Sequence, residues 1–182
     1  MGAVHRATIG PHIRAGCYEF GDGDQAGRVR LADGAAAERV GDDDDHPGGD
    51  PVTTATEPTT RTLDVPGATL AYDVRPNDST TEPPLFLIGS PMGAEGFGSL
   101  IKHLGHRTLI TYDPRGSDRS TKPDMTSPST PEEHADDLHR IIQEVGGPVD
   151  LFASSGGATN ALALVAKHPE DVRTLVAHEP PA

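Results

Sequence analysis

The residues best suited to chemistry lie between Val149 and Pro169. Val149, Leu151 and Phe152 make a short apolar run, and Ala153-Ser154-Ser155-Gly156-Gly157 reads as a turn. Ala158, Ala161, Leu162, Val165 and Ala166 then follow at helical spacing. A serine raised on a sharp strand-to-helix turn is the arrangement written G-x-S-x-G. Such a turn crowds two backbones, so the residues two before and two after the serine must be small. For Ser154 the earlier of these is Phe152; for Ser155 the pair is Ala153 and Gly157. Ser155 is therefore the candidate nucleophile. A helix starting just after it would aim unpaired N–H groups and a positive dipole end at its hydroxyl. The same stretch also reads as a glycine-rich helix start in a βαβ unit or as a phosphate-binding turn. Neither G-K-[ST] nor G-x-G-x-x-G supports the phosphate reading.

A serine hydroxyl needs a base, and the base needs an orienting acid. After Ser155 the 182 residues hold two histidines. His168, before Pro169 at a helix end, is expected to be a solvated terminal residue. His178 closes the last apolar run and is followed by Glu179. Asp171 reads as a loop residue.

These groups must be positioned by a folded core, and only part of the chain can supply one. Residues 1–60 are rich in Gly, Asp, Ala, Arg, Pro and Thr, and include Asp42-Asp43-Asp44-Asp45-His46. That segment buries too little apolar surface to offset its ordering entropy, so disorder is expected over 1–60 and a domain over 61–182. The aspartate run reads as solvated charge, and Asp22 to Gly27 fails as a calcium loop because Ala26 stands at a ligand position. The abrupt loss of pattern also raises the hypothesis that residues 1–51 are upstream sequence translated from an early start. A natural peptide from residues 1–40, seen by mass spectrometry, decides against it.

A net charge of −13 argues against nucleic acid and anionic membrane surfaces as partners. A lone cysteine, Cys17, excludes an internal disulfide. No apolar run reaches transmembrane length and no signal peptide is evident, so a cytoplasmic location is expected.

From Arg61 onward the pattern is regular. Thr62 to Val65 and Thr69 to Val74 alternate around Pro66-Gly67, which predicts a hairpin. Leu85 to Ile88 reads as a strand covered on both faces. Phe97, Leu100, Ile101 and Leu104 predict an amphipathic helix, and Thr108 to Tyr112 another strand. Thr130-Pro131-Glu132-Glu133 combines a capping box with a proline at the first helical position. That helix would bury Ala135, Leu138, Ile141, Ile142 and Val145 and leave at Gly146-Gly147. Val172 to Ala177 is a last strand. Strands alternating with helices predict an α/β fold: a doubly wound, mostly parallel sheet with its site beyond the carboxyl strand ends.

Over residues 62–182 the chain resembles the α/β-hydrolase family. Gly89-Ser90-Pro91-Met92-Gly93 is similar to the family's oxyanion loop. Tyr112 to Ser120 resembles its D-x-R-G-x-G-x-S turn, Ala153 to Gly157 its elbow, and His168-Pro169 with Leu175 to Pro180 its approach to the sixth strand. Ile88 replaces a histidine often found before the oxyanion glycine, Asp118 a glycine, and Ala153 the first elbow glycine.

The resemblance implies acyl transfer to Ser155 from a small-molecule carboxylic ester or related substrate. Backbone N–H groups of Gly156 and Ser90 would hold the oxyanion, and Glu179 is the candidate acid. Neither cofactor nor metal is implied, and Asp113, Arg115 and Gly116 are read as structural. The family's order is serine, acid, histidine, and no histidine follows Glu179. The expectation is therefore the N-terminal part of a hydrolase, truncated after the sixth strand and inactive alone, with self-association through that strand's bare edge. A cofactor-free haloperoxidase or perhydrolase of the same fold, or a non-catalytic binding remnant, are the alternatives.

Overall fold

The Pro66-Gly67 pair turns the chain between β1 (Thr59–Val65) and β2 (Ala68–Arg75), with Gly67 at φ +76°. The two strands pair antiparallel, Val65 opposite Ala68 and Thr59 opposite Val74. The computed structural model describes residues 55–181. The disorder and early-start expectations for residues 1–54 fall outside the described residues. The expected domain boundary at 61 moves earlier, because β1 already begins at Thr59 and the Thr56 hydroxyl donates to the Pro76 carbonyl at 2.7 Å.

Four further strands complete the sheet: β3 (Leu85–Ile88), β4 (Leu109–Tyr112), β5 (Val149–Ser154) and β6 (Val172–His178). The spatial order is β1-β2-β4-β3-β5-β6. β2 pairs antiparallel with β4, whereas β4, β3, β5 and β6 run parallel. The expected mostly parallel sheet is present, and its order doubles back at β3, the kind of switch point beside which open α/β sheets place their ligands.

Period-two alternation sends the central strands' residues to two layers. Phe86, Ile88, Ile110, Tyr112, Leu151 and Ala153 pack with the helices α2 (Pro131–Val145) and α3 (Gly156–Lys167). Leu87, Leu109 and Phe152 pack on the other face with Phe97 and Ile101. Helices thus cover both faces. On α2, Leu138, Ile141 and Ile142 are fully buried, each contributing roughly 1.5–3 kcal/mol. The capping box forms in full: Thr130 Oγ1 accepts from the Glu133 N–H and Glu133 Oε2 from the Thr130 N–H. Gly146, at φ +85°, closes the helix in the left-handed conformation.

The helix expected over Phe97 to Leu104 is shorter than its apolar spacing implies. A 3₁₀ turn at Ala94–Phe97 leads into one α turn, α1 (Gly98–Ile101), and i→i+3 bonds then carry the chain to Leu104. Gly96, Gly98 and Gly105 lower helix propensity across the segment, and i→i+3 bonding is the usual result at a short end.

Candidate active site

Ser155 sits where β5 becomes α3, at φ +52° and ψ −127°. This is strained backbone for a residue with a Cβ, and it persists only where surrounding structure enforces it. Two constraints are visible. The Ser155 N–H donates to the His178 carbonyl of β6 at 2.9 Å, and the Ser155 carbonyl accepts from the Ala158 N–H at 2.9 Å. The turn is thereby tied to the neighbouring strand on one side and to the helix on the other. The Ser155 residue is exposed and its side chain makes no capping bond.

The small residues flanking Ser155 are demanded by close packing. Ala153 is fully buried. A Cβ on Gly157 would lie 2.7 Å from the Gly89 Cα and the Ile88 carbonyl oxygen, both backbone. A Cβ on Gly156 would lie 2.7 Å from the Ser90 carbonyl oxygen. The two glycines let α3 begin directly against the loop that leaves β3. The structure therefore brings together Ser155, Gly156 and the backbone of Ser90.

Glu179 follows β6, at φ +47° and exposed. Ser154 pairs with His178 across β5 and β6, and Glu179 is the next residue in the chain. The imidazole that reaches the elbow is His178. Its Nδ1 lies 3.4 Å from the Ser154 hydroxyl, and its ring lies alongside Phe152 with centroids 6.4 Å apart.

The loop after β4 is built from charge. Asp113, 2% exposed, accepts from the Ala94 N–H at 2.8 Å and from Arg119 through its N–H (3.2 Å) and Nε (2.6 Å). It thus joins its own loop to the one that carries Ser90. The Ser120 hydroxyl donates to the Asp113 carbonyl and accepts from the Ala71 N–H. Arg115 donates through Nε and a terminal nitrogen to both oxygens of the fully buried Asp137, at 2.7 and 2.6 Å. Those bonds raise the guanidinium's pKa further against the opposing effect of burial. Asp113 and Arg115 hold loops, as their sequence pattern indicated.

His168 departs from expectation, while Asp171 lies in the turn before β6, as a loop residue should, but is buried there. His168 is packed rather than solvated: its ring stacks on His139 with centroids 3.8 Å apart. Asp171 is 2% exposed and accepts from Gln143. Sequence reading also overlooked Asp137 and His134, both buried on α2. Burial lowers the pKa of the His134 imidazole. The signal for Asp137 was its spacing, four residues before the buried Ile141 on the helix's core-facing side.

A family model described as alpha/beta hydrolase fold matches residues 84–182. YraK of Bacillus subtilis (strain 168), described as an uncharacterized hydrolase, is 37% identical over 123 residues, covering 65% of this chain and 44% of YraK. The thioesterase domain from the curacin biosynthetic pathway shares the fold at a TM-score of 0.61 and 19% identity, over 69% of this chain and 46% of that one. A crystal structure of the N-acyl homoserine lactonase AidH complexed with N-butanoyl homoserine gives 0.56 and 19%, over 66% and 45%. The chain spans less than half the length of each of these relatives. Among the described residues, no helix is long and apolar enough to cross a membrane.

Proposed function

The chain belongs to the α/β-hydrolase fold family, and from that premise we propose that it carries the nucleophile half of a serine hydrolase acting on a carboxylic ester or related acyl substrate. The observation that carries this reading is the exposed Ser155 held at φ +52° between β5 and α3. In this reading the Ser155 Oγ attacks a substrate carbonyl carbon. The negative charge that develops on the carbonyl oxygen is met by the N–H groups of Gly156 and Ser90, which the close approach at Gly156 supports. Donors placed in this way contribute roughly 2.7–4 kcal/mol each to the transition state.

Glu179 takes the role of acid, supported by its place directly after His178, which pairs with Ser154. With the order serine, acid, histidine, that assignment calls on a histidine beyond residue 182 as the base. Residues 1–182 then bind and orient an acyl group but turn nothing over alone. A fluorophosphonate probe read by peptide mass spectrometry tests both halves. The expected result is labelling of Ser155 in a protein extended past Ala182, its loss in Ser155→Ala, and none in residues 1–182. Absence of labelling in both proteins overturns the nucleophile. Labelling of Ser155 in residues 1–182 overturns the external base and moves that role to His178.

A further inference from the structure

At the far end of the sheet from Ser155, three side chains converge from different parts of the chain. His139 projects from the middle of α2, His168 ends α3, and Asp171 lies in the 3₁₀ turn that leads into β6. Val172 opens β6 opposite Val149, and His178 closes it opposite Ser154. Seven residues of strand therefore separate the cluster from the elbow, about 20 Å.

One donor atom from each of the three residues lies within 4.8 Å of the others. A tetrahedral ion held at about 2.0–2.2 Å by imidazole and carboxylate sets its donors about 3.3–3.5 Å apart. The cluster is thus within about an ångström or so of coordinating spacing. Asp171 is already aimed: buried, with Gln143 donating to Oδ1 at 2.9 Å and His139 Nδ1 2.6 Å from Oδ2. A carboxylate fixed by an outer amide is a common support for metal ligands.

A second observation points independently to a ligand. His168 Nε2 is buried and lacks a hydrogen-bond partner. The Asp136 carboxylate stands 3.8 Å from it, beyond bonding range, and Glu170 stands 3.7 Å from Nδ1. A buried polar atom without a partner is costly, and a bound cation would remove that cost. Asp136 and Glu170 add negative charge around it, although Lys167 pairs with Asp136 at 2.5 Å.

We propose that His139, His168 and Asp171 bind one divalent transition-metal ion of the zinc class. Two nitrogens and one carboxylate oxygen suit Zn²⁺, Co²⁺ or Ni²⁺ and are poor ligands for Ca²⁺ or Mg²⁺. The imidazoles now lie nearly parallel, 12° apart, so their lone pairs run side by side. Binding splays the rings, and their side chains, 29% and 21% exposed, have room to turn. The ion ties α2 to the connection between α3 and β6. It lies outside the Ser155 site and takes no part in its chemistry.

The acidic run ending at His46 is a competing place for a metal, so the test must locate the ion. Cobalt added to the ¹⁵N-labelled full chain is expected to erase amide signals around residues 139, 168 and 171 and to leave those of residues 155–157 sharp. This needs no substitution. Zinc calorimetry is expected to show one equivalent bound, weakened more than about tenfold in His139→Gln/His168→Gln and about tenfold in Gln143→Leu. Loss of cobalt-sensitive signals elsewhere, equal zinc affinity in the double variant, or no binding to the parent chain each overturns the site.

Discussion

The loops that follow β4 and β5 lie at the same end of the sheet and are fixed by different physics. The β5 elbow is held by what is missing: small side chains at Ala153, Gly156 and Gly157 let two backbones come within contact. The β4 loop is held by what is present: carboxylates and guanidinium groups that find each other in buried or half-buried positions. The first arrangement leaves an exposed hydroxyl on a rigid corner. The second spends its charged groups on one another, which leaves them unsuited to reacting with a substrate. The contrast separates an exposed side chain, the proposed nucleophile, from charged residues that hold the loops around it.

The largest effect is expected at the charged loop. Arg115→Ala leaves Asp137 buried with no counter-charge, and removing one partner of such a pair costs about 3–5 kcal/mol. Urea denaturation measures it. A loss below about 1 kcal/mol would mean that Asp137 reaches water or is readily protonated, and the contrast would fail on its polar side.

The steric side is tested next. Gly157→Ala forces a methyl group against the backbone of Ile88 and Gly89, where overpacking costs about 1–3 kcal/mol. Gly98→Ala is the control, because nothing lies within 4 Å of its added Cβ. There the change is expected to stabilise by about 0.5–1 kcal/mol through helix propensity. Equal effects at the two glycines would remove the claim that close approach fixes the elbow.

Strain at Ser155 gives the third comparison. Glycine adopts φ +52° without the penalty that a Cβ brings. Ser155→Gly is expected to be more stable than Ser155→Ala by about 1 kcal/mol, read from paired thermal melts. Both variants lose the hydroxyl, so the difference reports the backbone alone. Equal stability would show the turn to be relaxed.

The two loops also differed in how far the sequence exposed them. The elbow was legible because its constraint is local: Ala153 and Gly157 sit two residues either side of Ser155. The cap of α2 was legible for the same reason, with Thr130 and Glu133 three residues apart. Asp137 was not, since its partner Arg115 is 22 residues away and a lone acid on a helix reads as solvated. His139 and Asp171, 32 residues apart, were hidden in the same way. Apolar spacing misjudged the length of the helix at Phe97 because Gly98 within it and Gly96 and Gly105 at its ends weaken it without altering the period. The mostly parallel pairing followed from alternating elements, but the pairing of Ser154 with His178 depended on β5–β6 register, which no pattern within one strand encodes.

The smallest effect comes from the half-exposed edge of the charged loop, and it depends on pH. Arg119 donates to Asp73 at 3.0 and 3.1 Å, and Thr60 donates to the same carboxylate at 2.6 Å. Burial acts to raise the Asp73 pKa, but these bonds and the charge of Arg119 together outweigh it, and the carboxyl ends below its ordinary 3.8. A depressed folded pKa means that the unfolded chain takes up the proton first. The stabilisation from Asp73 is therefore complete above pH 3.8 and is lost as pH falls through the lower folded value. Arg119 is 42% exposed, so solvent screening limits the pair to under about 1 kcal/mol. Asp73→Asn keeps an acceptor for Thr60 and removes the charge. At pH 6 it is expected to cost that small amount, and near pH 2 the two proteins should converge, with the variant showing a shallower acid limb in urea titrations. Curves that stay parallel down to pH 2 would place the loop's acid sensitivity elsewhere. The inner pair of Arg115 and Asp137 would then carry more of the loop's charge balance than its rim.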